Sequence, residues 1–301
     1  MASKKLRSIR NHVFRYARAL DVARWNYHFE DGSEREVLKA LAVYKNADGG
    51  YGHGIEPDNQ NPHSTPMGAW AAVRVLRELQ FPEIADNLME DLRNYLLHTD
   101  AFDGTRWQRT VPSNNDWPRA PWWEHNPDEA PTVNPTAELA GFLLRTAKCG
   151  TRAYTSGEHI LSQILPDLKV EELEAHELVN VVALLEDVQA VGREDLLPEG
   201  FPERVAEQVH KTIEQNTDAY TETAYIISPK FYIHGKQSPY YENNKDICTF
   251  YAKYLEDSVG PDGAWGLTWN WGAQEMPFHA RRDWQGSLIV DNMLFLQGMK
   301  E

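Results

Sequence analysis

One unit recurs three times in this chain: an Asp-Gly turn, an aromatic residue close behind it, a long Trp- and Pro-rich loop, and then an apolar helix. The copies begin at Asp48-Gly49-Gly50-Tyr51-Gly52, Asp103-Gly104-Thr105-Arg106-Trp107 and Asp262-Gly263-Ala264-Trp265-Gly266. A supersecondary unit repeated in this way stacks on its neighbours to bury its apolar face, so equivalent loops gather on one side. That constraint points to an architecture and to a place for a site. It leaves the reaction open.

Apolar spacing predicts helices over 5–29, 33–45, 65–80, 82–98, 132–148, 153–165, 169–191, 202–215, 239–257 and 283–299. Ser33 and Glu36 carry a capping-box signature ahead of Val37, Leu38, Leu41 and Tyr44. Residues 220–235 allow an extended segment, and no useful strand alternation appears elsewhere. The helices are of two kinds. Segment 82–98 has Ile84, Leu88, Leu92, Tyr95 and Leu96 on one stripe and a wet face elsewhere. Segments 68–79 and 288–296 are apolar around most of their circumference and are therefore enclosed on most sides.

The half-wet segments 33–45, 82–98 and 239–257 are each followed by an enclosed one, 65–80, 132–148 and 283–299. Alternating outer and inner helices describe an all-α fold, the α/α toroid. We expect a double-layered ring of about ten to twelve helices, as one domain over residues 1–301. The three Asp-Gly loops are all outer-to-inner connections, expected at one mouth of that ring. They run to roughly 20–30 residues against the usual 2–8 for helix connections, a length commonly associated with function. Between 150 and 235 the turn motif is missing, and no linker is placed there.

The net charge of −15 argues against a nucleic-acid backbone or an anionic lipid surface as the main partner. Residues 1–24 are the exception, with Lys4, Lys5, Arg7, Arg10, Arg15, Arg18 and Arg24 against Asp21 alone. Such a helix can lie on a membrane; an outer helix with a solvated basic face is the reading preferred here. Cys149 and Cys248 are too few for a disulfide framework. Neither a signal-peptide pattern nor an 18-residue apolar run is present, so a cytoplasmic protein without a transmembrane segment is expected.

The repeated turns resemble those of the terpenoid cyclase/protein prenyltransferase superfamily, whose members are α/α toroids. The segment NADGGYGHGIEPD, residues 46–58, is also similar to a set of small bacterial proteins of that superfamily. The resemblance spans three of five or six repeats and implies a toroid acting on an isoprenoid-like substrate. Departures accompany it. Neither the Asp-x-Asp-Asp protonating motif nor the Asp-Asp-x-x-Asp magnesium-diphosphate cluster is present. Asp246-Ile247-Cys248 resembles the first part of a prenyltransferase zinc site. Arg282-Asp283-Trp284 resembles the context of its histidine, with Gln285 in the ligand's place and His279 nearby. The resemblance thus implies a zinc set of Asp246, Cys248 and His279, against the plain alternative that Cys248 is a small packing residue.

The residues themselves supply further candidates. The first loop holds His53, Glu56, Asp58, Asn59 and His63. One histidine with two carboxylates suits zinc or magnesium; equally, Glu56 and Asp58 are an acid and base pair, with Asp283 in reserve. Their structural alternative is capping of inner helices. Eight of the ten tryptophans lie in or beside the second and third loops. Tyr51, His53, Trp107, Trp122, Trp123, Glu124, Trp265, Trp269 and Trp271 are expected to bind substrate, because aromatic faces stack on sugars and wall off carbocations. The alternative is that these rings pack the loops.

Three functions follow. The first is acid catalysis on an apolar, isoprenoid-like small molecule in a dry aromatic cavity. The second is a glycoside hydrolase or lyase using paired carboxylates and Trp stacking on carbohydrate. The third is a non-catalytic binding or scaffold toroid.

Overall fold

The computed structural model describes residues 3–300. Those residues are all-helical, without a named strand. Eleven α-helices follow in order: α1 (Ser3–Tyr16), α2 (Ala19–Phe29), α3 (Glu34–Leu41), α4 (Pro66–Glu78), α5 (Asp86–His98) and α6 (Val133–Thr146). Then come α7 (Arg152–Ile164), α8 (Ala175–Ala190), α9 (Phe201–Thr212), α10 (Lys245–Asp257) and α11 (Phe278–Gly298). Among the described residues no helix is long and apolar enough to cross a membrane.

The chain divides into two compact units, Leu41–Gln208 and Met1–Ala40 with Val209–Glu301, where one domain is expected from sequence. In the first unit α6 packs against α4 and α8, with α7 also against it, while α5 lies against α4 and α7. Residues from Val133 to Leu144 are buried without exception, as expected of a helix covered on several sides. Small residues make that crowding feasible. A Cβ on Gly141 of α6 would stand 2.7 Å from Asp187 Oδ2 and 3.2 Å from the Leu184 Cα of α8. In the second unit α11 contacts α1, α2 and α10.

Each Asp-Gly turn is built alike. The aspartate accepts from backbone N–H groups just beyond it: Asp48 from Gly50 (2.9 Å), Asp103 from Thr105 and Arg106 (2.7 Å each), Asp262 from Ala264 (3.2 Å). Gly49, Gly104 and Gly263 take φ of +89°, +102° and +91°, the left-handed region that costs an L side chain strain. The aromatic residue then turns inward. Trp107 and Trp265 donate their indole N–H to Leu96 O (2.9 Å) and Leu255 O (3.1 Å), in the last turns of α5 and α10. Those carbonyls have no partner within their helix, so each tryptophan seals a helix end as well as filling space. Gly49 also lies against the backbone of α5, and Gly263 against that of α1, where an added Cβ would collide with the carbonyl oxygens of Asp91 and Ser8.

Several boundaries differ from the sequence reading. The helix expected over 5–29 is two, because Arg18 is extended (ψ 158°) and turns its side chain onto Asp21 (2.6 Å) and Ser287 (3.2 Å). The helix expected at 283 begins at Phe278. The one expected over 169–191 is shortened by the capping box of Glu174, which accepts from His176 and Glu177 N–H while Glu177 accepts from Glu174 N–H. Of the box expected at Ser33, only the half in which Glu36 accepts from Ser33 N–H (3.1 Å) is formed. Residues 220–235 contain only the 3-10 turn Pro229–Phe231.

Gly49→Ala and Gly104→Ala separate the two roles of the turn glycine. Both incur left-handed strain of about 1 kcal/mol, but Gly104 faces open space, so only Gly49→Ala meets backbone. Urea denaturation is expected to show Gly49→Ala losing at least about 1 kcal/mol more than Gly104→Ala. Equal losses would contradict the packing role.

Candidate functional site

The first two long loops, both within Leu41–Gln208, are sewn together by buried amides. Asn59, Asn61 and Asn114 are 6%, 1% and 0% exposed. Asn61 donates to Ser113 Oγ (2.9 Å) and Asn114 Oδ1 (3.0 Å), Asn59 donates to Asn114 Oδ1 (3.3 Å), and Asn114 donates to Trp123 O (3.0 Å). Backbone bonds from Gln60 N to Pro118 O (3.0 Å) and from Ala120 N to Asp58 O (2.8 Å) run beside them. Glu56 and Asp58 are both buried on this seam. The paired amides fix the strand-like register of two loops that contain no regular structure, since a buried amide must find partners.

The expected aromatic wall is largely a set of plugs. Tyr51, Trp107 and Trp271 are at most 2% exposed, and Trp265 and Trp123 are also buried. With these five rings enclosed, the structure places them where they pack the loops, the alternative role that their composition allowed. Burial pushes the Tyr51 phenol above its ordinary range, with Asp91 adding to it. Trp123 carries the Arg109 guanidinium over its ring at 5.9 Å. Trp122 and Glu124 stay exposed, Glu124 with Arg119 at 3.6 Å. His53 is exposed, at φ +57°, with Nε2 2.9 Å from Asn46 Oδ1. In the other unit Trp269 is half-buried and meets Trp284 edge-on at 5.1 Å and Tyr225 at 6.3 Å; Asp283 lies beside Arg282 at 3.3 Å.

Among the described residues no three His, Cys, Asp or Glu side chains cluster as metal ligands, so the structure does not bring together the Asp246, Cys248 and His279 set or the His53, Glu56 and Asp58 set. Cys248 is fully buried, and burial pushes its thiol up to about 12, as for a small packing residue. Asp246 and His279 are exposed.

A cluster that the sequence reading missed lies on α4, α6 and α8 of the same unit. Arg77 donates through Nη1 and Nη2 to both Asp187 oxygens (2.8 and 2.7 Å) and through Nε to Glu138 Oε1 (2.9 Å). The second Glu138 oxygen accepts from the Trp70 indole at 2.7 Å, and Arg74 stands over that indole at 5.0 Å. Glu138 and Asp187 are 1% and 2% exposed, whereas Trp70 and Arg74 are half-buried. Burial works against charge on Arg77, but Asp187 and Glu138 outweigh it and hold the guanidinium protonated. Burial raises the Asp187 carboxyl and Arg77 opposes it; the two-pronged geometry decides for an ion pair.

Glu186 adjoins this network and reaches solvent. Burial pushes its carboxyl up to about 6, with Asp187 and Glu138 adding to the shift and Arg77 and Arg74 opposing it. A signal was available: Arg77, Glu138 and Asp187 stand among apolar residues in the middle of their helices, and buried charges demand partners.

The other unit holds a similar network. Asp21, fully buried, accepts from Arg18 (2.6 Å), Arg24 (3.1 Å) and Ser287 (3.1 Å), and Arg24 also reaches Asp291 (2.8 Å). Lys230 donates to the buried Asn292 side chain at 2.5 Å, and burial pulls its ammonium below the usual range against the pull of Asp291. Comparisons with protein-family models, curated proteins and solved structures find no match for this chain.

Two outcomes follow. Arg77→Met strands two buried carboxylates and is expected to cost about 3–5 kcal/mol in urea denaturation at neutral pH; a cost under about 1 kcal/mol would contradict the ion-pair account. A carboxyl whose folded pKa lies above its unfolded value binds protons more tightly when folded. Stability therefore falls as pH rises from the ordinary glutamate value of 4.5 through about 6. Glu186→Gln is expected to melt above the parent at pH 7.5 and level with it at pH 4.5. A variant that gains nothing at pH 7.5 would contradict the shift.

Proposed function

We propose that this chain is an α/α toroid and an acid–base enzyme of the hydrolase or lyase type acting on a hydroxylated, carbohydrate-like substrate. The ring reading is supported by the alternation along the chain and by the packing of α4, α6 and α8 as one set with α5 and α7 as a second. The repeated turns of the terpenoid cyclase/prenyltransferase type support the same architecture, and a shared architecture does not carry a shared reaction.

The observation that carries the chemistry is Glu186. Burial pushes its carboxyl up to about 6, within the field of Arg77 and Arg74, next to a network in which Arg77, Glu138, Asp187 and the Trp70 indole are already paired. A group kept ionisable at a cost to stability is a mark of function rather than of folding. In this reading Glu186 is the general acid, the Trp70 face is the stacking surface, and Arg74 orients a hydroxyl or carboxylate. The site lies within Leu41–Gln208. Glu56 and Asp58, buried in the loop seam, stay as the alternative acid and base.

The isoprenoid reading has one observation of its own, the Trp269, Trp284 and Tyr225 group beside Asp283. Against it stands the use of Trp107, Trp265 and Trp271 as plugs, which leaves less indole surface for an apolar cavity.

A ligand that binds only the folded state raises the melting temperature. A panel of neutral and acidic oligosaccharides is expected to stabilise the protein, with the effect lost in Trp70→Leu and Arg74→Ala. Turnover is expected to fall with Glu186→Gln while binding is retained. Stabilisation by geranyl diphosphate alone, lost on Trp269→Leu, would overturn the carbohydrate reading in favour of the other.

A further inference from the structure

Helix α1 carries Lys4, Lys5, Arg7, Arg10 and Arg15 and no acidic residue, a charge of +5 on 14 residues in a chain of net −15. Charge alone fits a solvated outer face, the reading preferred from sequence. The structure adds what the sequence withholds: which side chains remain uncovered. Ile9, Val13 and His12 point into the protein and are at most 6% exposed. Leu6, Phe14 and Tyr16 do not; they are 44%, 43% and 50% exposed. Nine large hydrophobic side chains are exposed among the described residues, and three of them lie on this one short helix.

Positions seven and four residues apart share a helix face, so Phe14 lies between Arg7 and Arg10 on the outward side, with Leu6 at its edge. Arg10 is already engaged, with Glu30 at 2.6 Å and its guanidinium 4.6 Å over the Phe14 ring. Lys5 is engaged by the Glu256 carbonyl. Lys4, Arg7 and Arg15 are exposed and make no ion pair among the described residues. Three cations without an ion pair, on a helix that also exposes an aromatic edge and a leucine, are the complement of a surface that is anionic outside and apolar just beneath.

We propose that α1 is a docking surface for an anionic lipid bilayer, with the helix in the headgroup plane, Phe14 and Leu6 entering the acyl boundary and Lys4, Arg7 and Arg15 meeting lipid phosphates. A nucleic-acid backbone would satisfy the cations and leave Leu6 and Phe14 without a use, whereas an interfacial helix uses both classes of side chain. The strong negative charge of the rest of the chain does not forbid the contact. At physiological salt, fields fade over about 8 Å, so the local face decides. One short helix gives reversible attachment. The proposal is independent of the site on α4, α6 and α8.

The test is co-sedimentation of the full chain with phosphatidylcholine vesicles, with and without phosphatidylserine. Binding is expected only with phosphatidylserine, weakening as salt rises. Arg7→Glu with Arg15→Glu is expected to lower the partition coefficient at least about tenfold, and Phe14→Ser to lower it at every salt concentration. These positions are exposed, and unchanged melting temperatures serve as the control for folding. With Phe14→Trp, emission is expected to gain a blue-shifted component on phosphatidylserine vesicles. Equal sedimentation of the charge-reversed protein, no shift from the introduced indole, or retention by a double-stranded oligonucleotide without vesicle binding would each overturn the proposal.

Discussion

Arg77 decides how three helices of the Leu41–Gln208 unit can pack. It is the one guanidinium that satisfies both Glu138 on α6 and Asp187 on α8. Those carboxylates are buried because α6 is enclosed and because Gly141 lets α8 approach closely. Removing two charges from water is compensated only when the geometry is good and the remaining lone pairs are used. The Trp70 indole meets that second requirement at Glu138. The arrangement is therefore one of register: a slide of α8 along α6 that left the apolar contacts tolerable would still break the fork at Asp187.

The same residues set the character of the surface beside them. Burial by the neighbouring packing raises the Glu186 carboxyl first; Arg77 and Arg74 oppose the shift, and Asp187 and Glu138 add to it. In the other unit burial disfavours the Lys230 ammonium against the pull of Asp291, and a neutral amide, Asn292, accepts from it.

Much of the fold was legible in the sequence, and the reasons for the failures are specific. Long segments with three- and four-residue apolar spacing became helices, and the Asp-Gly units became closely similar turns. Ends were misplaced where side chains override spacing: at Arg18, which leaves the helix to reach Asp21, and at Glu174, whose capping box starts α8 late. The tryptophans were misread for a different reason. Composition reports that indoles are concentrated in the loops, but not whether their faces turn inward; Trp107 and Trp265 turn inward because a helix end behind them offers an unpaired carbonyl. Exposed Trp122 and buried Trp123 are adjacent in sequence and indistinguishable there. The charged cluster was overlooked because α4 and α8 were read for their apolar residues, when the few charges among them were the informative positions.

The proposed acid catalyst on α8 thus rests on one ionisable group and the network beside it. Titration of the Glu186 carboxyl by carbon NMR, in the parent protein and in Asp187→Asn, reads that group directly. The account requires an apparent pKa near 6 in the parent and a lower one once the neighbouring charge is removed. A parent value at the ordinary 4.5 of glutamate, unchanged by Asp187→Asn, would contradict it.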